Sequence, residues 1–304
     1  VEQYLATKPR DPQMRFLKGV IQTESGKTGD AIQTFTRLTE DYPELPTLPQ
    51  VSGTVDGAVW QEAVAQVVSS ASNDDTLPLL VSVCIEINGS QVSLMATDRY
   101  RLAVRDLTWE PTEENYSARI LVRAARLSDI AKSLGSVGKV EVSIDTSGRA
   151  GMVSFAAAGR RSVARLIDGE YPPVRNLFPS DTNGYAIVRR QELLDAIKRA
   201  RLVVEKNSAV RLSFTEGQVV LEAGQGDNAQ TSEALEAALV GEDIAMAFNP
   251  SFLQEGMGAI NEAYVRLSFV HPTKPAVLTA QAELEGEDRE DFRLLLMPIR
   301  VYGG

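Results

Sequence analysis

The chain has 304 residues, enough for two or three domains, and its 43% apolar and 24% charged residues are ordinary for a folded globular protein. No apolar run reaches the roughly 18 residues that a membrane-spanning helix needs. The formal charge of −10 argues against tight binding to DNA phosphates in general, which requires clustered Lys and Arg, although local charge matters more than the sum.

The start, Val1-Glu2-Gln3-Tyr4, lacks the basic and apolar regions of a signal peptide, and the absence of an initial Met is what a fragment or processed product would show. Asp11-Pro12 opens a helical segment with an N-cap and a proline in the first turn. Met14, Phe16, Leu17, Val20 and Ile21 form its apolar face. Ser25-Gly26-Lys27-Thr28-Gly29 predicts a turn, and Ala31, Ile32, Phe35 and Leu38 a second helix that Pro43 stops. Gly19, Ala31, Phe35 and Pro43 resemble the small-residue and stop positions of one tetratricopeptide repeat, although its early Trp and Tyr are absent; a plain helical hairpin is the alternative. A single repeat does not bury its face alone, so the hairpin needs a packing partner. Residues 42–52 carry three prolines and predict an extended connector, with a boundary near 46.

Beyond it the pattern repeats. Residues 58–71 predict a helix, and Val83 to Ala96 alternate around Asn88-Gly89, a strong hairpin signal. Residues 190–204 predict a helix, and Val210 to Ala223 alternate around Glu216-Gly217. Further helices are expected at 123–134 and 250–260, with strand pairs at 139–145 and 151–157, and at 264–270 and 276–282. The class is therefore α+β: two domains, 47–182 and 183–304, each with two helices on antiparallel sheets, preceded by the helical hairpin at 1–46.

Cys84 is the only cysteine and His271 the only histidine, so no intramolecular disulfide forms and neither a zinc site nor a His-based triad has its partners. A reducing cytoplasm is the natural compartment. No spacing among the 41 Asp and Glu singles out an acid/base pair. The reading is a non-enzyme that needs no cofactor.

Three segments stand out: Ala96-Thr97-Asp98-Arg99-Tyr100-Arg101-Leu102-Ala103-Val104, then Glu170-Tyr171-Pro172-Pro173-Val174-Arg175-Asn176-Leu177-Phe178-Pro179, and finally Leu295-Leu296-Met297-Pro298-Ile299-Arg300. With the two-domain repeat they closely resemble the bacterial DNA sliding clamp, the beta subunit of DNA polymerase III, in its actinobacterial wording. Residues 47–182 resemble its second domain and 183–304 its third; the first is not recognisable, and the hairpin stands in its place. The resemblance implies helices lining a DNA-facing surface, and one pocket formed by the three segments for peptide tails of the polymerase alpha subunit, the clamp loader and repair proteins.

By that resemblance Leu80, Thr97, Arg99, Tyr100, Arg101 and Leu102 supply one wall with Pro172, Asn176 and Leu177. Leu295, Leu296, Met297, Pro298, Ile299 and Arg300 supply the other, with Asn249 and Phe252 at the rim. Met297 and Ile299 suit varied partners, and Arg101 and Arg300 can hydrogen-bond a carbonyl or carboxylate. Arg99-Tyr100 replaces a Gly-His pair common in other clamps, and Asn176 stands where a basic residue is frequent, which puts peptide preference in question. Double-stranded DNA, gripped without base contacts, would face Arg123, Arg126, Lys132, Arg189, Arg190, Lys198, Arg199, Arg201 and Lys206. The implied location is the nucleoid. Two roles stay open: a clamp, ring-closed as a homo-oligomer or not, and a non-ring adaptor or decoy that binds clamp-binding tails or partners through the hairpin.

Overall fold

A computed structural model describes residues 1–9, 11–40, 49–136, 138–146, 151–203, 208–224 and 230–299, with the side chains of Pro12, Thr39 and Glu40 left aside. It forms two compact units, Val1–Leu48 and Pro49–Gly304.

The first unit holds α1 (Glu2–Thr7), α2 (Pro12–Glu24) and α3 (Thr28–Glu40). The Asp11 carboxylate caps α2 by accepting from the Met14 N–H at 3.0 Å, as Asp11-Pro12 predicts. Gly26, at φ +72°, makes the turn between α2 and α3. Gly19 lets the two helices close: a Cβ there would stand 2.5 Å from the Phe35 ring. Among the described apolar side chains of this unit only Ala31 and Leu38 are buried, while Phe16, Leu17, Ile21 and Ile32 are exposed. The predicted stop at Pro43, and the connector up to residue 48, lie outside the described residues.

The second unit runs through one pattern twice. The first pass is β1 (Gly53–Asp56), α4 (Gly57–Val68), β2 (Ser82–Asn88), β3 (Gln91–Thr97), β4 (Arg101–Thr108), β5 (Glu110–Pro111), β6 (Ser117–Arg123), α5 (Ala124–Leu134), β7 (Lys139–Asp145), β8 (Met152–Ala157) and β9 (Arg160–Arg165). A short 3-10 turn, Val174–Leu177, precedes the second pass. That pass is β10 (Gly184–Arg189), α6 (Arg190–Ala200), β11 (Val210–Thr215), β12 (Gln218–Ala223), β13 (Thr231–Val240), β14 (Ile244–Phe248), α7 (Pro250–Ala259), β15 (Tyr264–Phe269), β16 (Ala276–Gln281) and β17 (Asp288–Leu296). The predicted hairpins turn at Gly89 and Gly217, both at positive φ. Helix α6 ends short of residue 204 because Leu202 and Val203 already donate to carbonyls three residues back.

All strands are antiparallel. One sheet orders β5-β1-β7-β8-β9, and a twelve-stranded sheet orders β14-β11-β12-β13-β10-β15-β16-β17-β4-β3-β2-β6. The two passes meet inside that long sheet, where β17 pairs with β4 in the register Phe292↔Arg105 to Leu296↔Arg101. One core underlies the four helices, with Trp60 stacked on Phe155 at 5.1 Å. A smaller core lies apart from it, built from Cys84, Met95, Leu102, Val104, Leu121 and Leu295 with Tyr171 and Val174. That small core lies beside the seam and positions the site.

Candidate functional site

The site begins with the turn between β3 and β4. Thr97 donates its hydroxyl to the Arg101 carbonyl at 2.6 Å and accepts the Arg99 N–H at 3.2 Å. The Asp98 carboxylate accepts the N–H groups of Tyr100 and Arg101, each at 3.0 Å. Arg99 sits at φ +81°, a region that favours glycine and asparagine. The Thr97 N–H donates to the Tyr171 hydroxyl at 3.1 Å, and burial pushes that phenol well above its ordinary pKa. The 170–178 segment is thus pinned to β3 through Tyr171 and to the small core through Val174.

Arg101 is only 6% exposed. Its Nε donates to Asp98 at 3.0 Å, its Nη1 to Glu255 of α7 at 2.6 Å, and its guanidinium lies 4.3 Å over the Phe252 ring. It therefore clasps the turn of the first pass to a helix of the second. Tyr100 stacks on Phe252 with centroids 6.3 Å apart. Past β17 the chain stays extended: Met297 donates to the Tyr100 carbonyl at 2.9 Å and Ile299 to the Ala247 carbonyl at 2.7 Å, with Pro298 between them.

The structure thus brings Thr97, Arg99, Tyr100, Arg101, Leu102, Asn249, Phe252 and the 295–299 strand end to one seam. Pro172, Asn176 and Leu177 lie exposed on the pinned segment, and Leu80 is half-buried next to Leu79, which packs on the small core. Leu102, Leu295 and Leu296 are buried and form the body beneath the surface rather than the surface itself. The exposed apolar groups are Tyr100, Leu177, Met297 and Ile299. Asn249 accepts the Ser251 and Phe252 N–H groups and is the N-cap of α7. Arg300 lies outside the described residues. Sequence reading missed Glu255, an acid with no motif around it. Tyr171 stands inside a legible motif, but its role as an anchor depends on the distant Thr97 N–H.

The basic residues proposed to face DNA are mostly engaged. Arg199 makes a bidentate pair with Glu233, Lys198 meets Asp195 at 3.0 Å, and Arg123 meets Asp75 at 2.5 Å. Arg189 lies 5.3 Å over the Tyr264 ring and 3.7 Å from Glu192. Arg190 donates to the Glu262 and Met257 carbonyls, Arg201 to Gln254 and Arg126 to the Val163 carbonyl. Lys132 is exposed, and Lys206 lies outside the described residues. Among the described residues no group of three or more His, Cys, Asp and Glu is placed to hold a metal, and no helix is long and apolar enough to cross a membrane.

Residues 54–173 match the family model of the DNA polymerase III beta subunit central domain, and 175–300 that of its C-terminal domain. The chain is 44% identical over 265 residues to the beta sliding clamp of Streptomyces coelicolor, covering 87% of this chain and 70% of that one. It belongs to the bacterial sliding-clamp family. The Micrococcus luteus beta sliding clamp is 47% identical over 199 residues, 66% of this chain and 64% of that one. The solved sliding clamp of Bacillus subtilis superposes with a TM-score of 0.78 at 25% identity, covering 87% of this chain and 68% of that one. The clamp fold accounts for the doubled α+β pattern, and family membership makes the chain a polymerase accessory protein rather than a catalyst.

Proposed function

We propose that this clamp-family chain tethers DNA polymerase and repair proteins to DNA by gripping their short peptide tails at the seam between its two clamp domains, 47–182 and 183–304. One observation carries the reading. The β4–β17 pairing sets Met297, Pro298 and Ile299 beside Tyr100, leaving exposed apolar side chains over a firmly built base. A docking site needs such apolar walls with a few fixed polar groups, and Met suits varied partners. Arg101 serves this site by clasping Asp98 and Glu255, so that both walls keep their spacing. The polymerase alpha subunit, the clamp loader and repair proteins are the partners expected. Double-stranded DNA is held weakly along the helix face, through phosphates and without sequence preference.

Titration of a labelled Gln- and Leu-rich peptide tests this. Saturable binding that weakens about tenfold or more in a Met297→Ala, Pro298→Ala double variant is expected. Absence of binding, or binding indifferent to that variant, overturns the site.

An adaptor role gains support from the first unit, where Phe16, Leu17, Ile21 and Ile32 leave an apolar surface on the helical hairpin. Capture of a partner by residues 1–48 alone, with the seam peptide still competing for the second unit, would favour that role.

A further inference from the structure

We propose, given that the seam is the peptide-docking site, that Arg99 selects tails carrying an aspartate or glutamate side chain next to the apolar residue that rests on Tyr100. The seam holds two arginines in opposite conditions. Arg101 is buried and held by Asp98 and Glu255. Arg99 is exposed, and its side chain forms no hydrogen bond or ion pair among the described residues. Its guanidinium carbon stands 5.9 Å from the centre of the Tyr100 ring. A guanidinium offers five N–H donors in a planar fork that matches a carboxylate, so Arg99 carries an unused recognition group at the rim of the site.

The backbone points the same way. Arg99 holds φ +81°, and among the described residues Ala158 is the only other non-glycine at positive φ. Glycine takes this conformation freely, whereas a long side chain adopts it at a cost. The turn does not depend on that side chain, since Thr97 and the Asp98 carboxylate close it through backbone groups. A strained residue whose side chain the fold leaves unused marks a functional contact.

Its surroundings say which tail residue it meets. Tyr100 stacks on Phe252 and accepts the Met297 N–H, so it is part of the apolar wall, and a tail residue beside the one on Tyr100 comes within reach of the guanidinium. On the other side lies Asp74, whose carboxyl is held below the ordinary range by its bonds to Thr76 and, more weakly, by the charge of Arg99. Asp74 does not use up Arg99, because it already accepts the Thr76 hydroxyl at 2.7 Å and the Thr76 N–H at 3.0 Å. Leu80, a further wall residue, follows in the same loop. Wall residues thus flank Arg99, so the tail runs past it and the carboxylate is that of a side chain rather than of the chain end.

Fluorescence titration of the full chain with paired Gln- and Leu-rich peptides tests this, each pair identical except for Glu or Gln at one position beside an apolar residue. As that position is scanned, the best Glu peptide should bind about two- to fivefold tighter than its Gln twin, less so as salt rises. Arg99→Gln should abolish the preference, Arg99→Lys keep part of it and Arg99→Glu invert it. Arg99→Gly should also lose it while melting at a higher temperature, because the strain goes with the side chain. Amidating the peptide C-terminus should leave the preference intact. The Met297→Ala, Pro298→Ala variant should weaken both twins alike. Twins that both ignore that variant would show that the seam is not the site. Twins that respond to it yet bind the parent chain equally overturn the role of Arg99 alone, as does a preference that survives in Arg99→Gln or vanishes on amidation.

Discussion

Asp106 shows how single side chains build the seam. It accepts from the Ser93 hydroxyl at 2.5 Å, from Arg175 at 2.9 Å and from Arg293 at 3.3 Å, joining β3, β4, β17 and the 170–178 segment. Burial opposes its ionisation, but these donors and the two guanidinium charges outweigh burial and hold its carboxyl below the ordinary range. A carboxyl with a depressed folded pKa contributes stability above its unfolded value, about 4, and loses it as pH falls through the folded value. Asp106→Asn should therefore cost about 1.5 kcal/mol near neutral pH, the scale of a hydrogen bond to a charged group. In denaturant melts across pH, the gap from the parent chain should narrow below about pH 4. A gap that is constant with pH would argue against an ionised Asp106. At this scale the motif Thr97 to Leu102 was legible as a cluster, but the part each residue plays was not. Whether a guanidinium faces solvent or is taken up by Asp98 and Glu255, 154 residues away for the latter, is a matter of distances that exist only after folding.

Helices and hairpins were legible where local rules dominate: the Asp11 cap, the Asn88-Gly89 turn and the apolar periodicity of α4 to α7 all act within a few residues. Asn249 is a case in which site and element coincide. It holds two N–H groups at the start of α7, the helix that carries Phe252 and Glu255 to the seam. Asn249→Ala should lower stability by about 1 kcal/mol and weaken peptide binding, while Asn249→Asp, also a good cap, should keep both. Thermal melts beside the peptide titration check this; loss of affinity in Asn249→Asp with stability intact would point to direct peptide contact instead. Strand β13 shows where local rules fail. Thr231-Ser232-Glu233-Ala234-Leu235-Glu236-Ala237-Ala238-Leu239-Val240 is rich in helix formers. It is nevertheless a strand, because β12 and β10 both claim its backbone. Pairing with distant strands overrides a propensity worth a few tenths of a kcal/mol per residue.

For the whole molecule, charge sets how strongly the proposed helix face would hold DNA. Of the basic side chains that the helices offer, Arg199, Lys198 and Arg123 already have carboxylate partners, and Arg190 donates to backbone carbonyls. A cation that trades a carboxylate for a phosphate releases fewer counterions in net terms, so binding to linear duplex should be weak and its salt slope shallow. Fluorescence anisotropy across a salt series should give a slope well short of nine released phosphate contacts, and Lys132→Glu should lower it further. A steep slope would mean that the ion pairs open on DNA and that the helix face is a strong binder.

From the sequence alone came the two α+β domains, the preceding helical hairpin, the clamp resemblance and the segments that meet at the seam. These follow from periodicity, caps, turns and motif wording, which are properties of neighbouring residues. Tertiary structure decided what those segments become together. It placed β17 against β4, buried Leu102 and Leu295, left Tyr100 and Met297 exposed, and tied Arg101 to Glu255. The reason is physical: ladder pairing, burial and ion pairing depend on which strands lie side by side, and that adjacency is fixed by the packing of the chain as a whole.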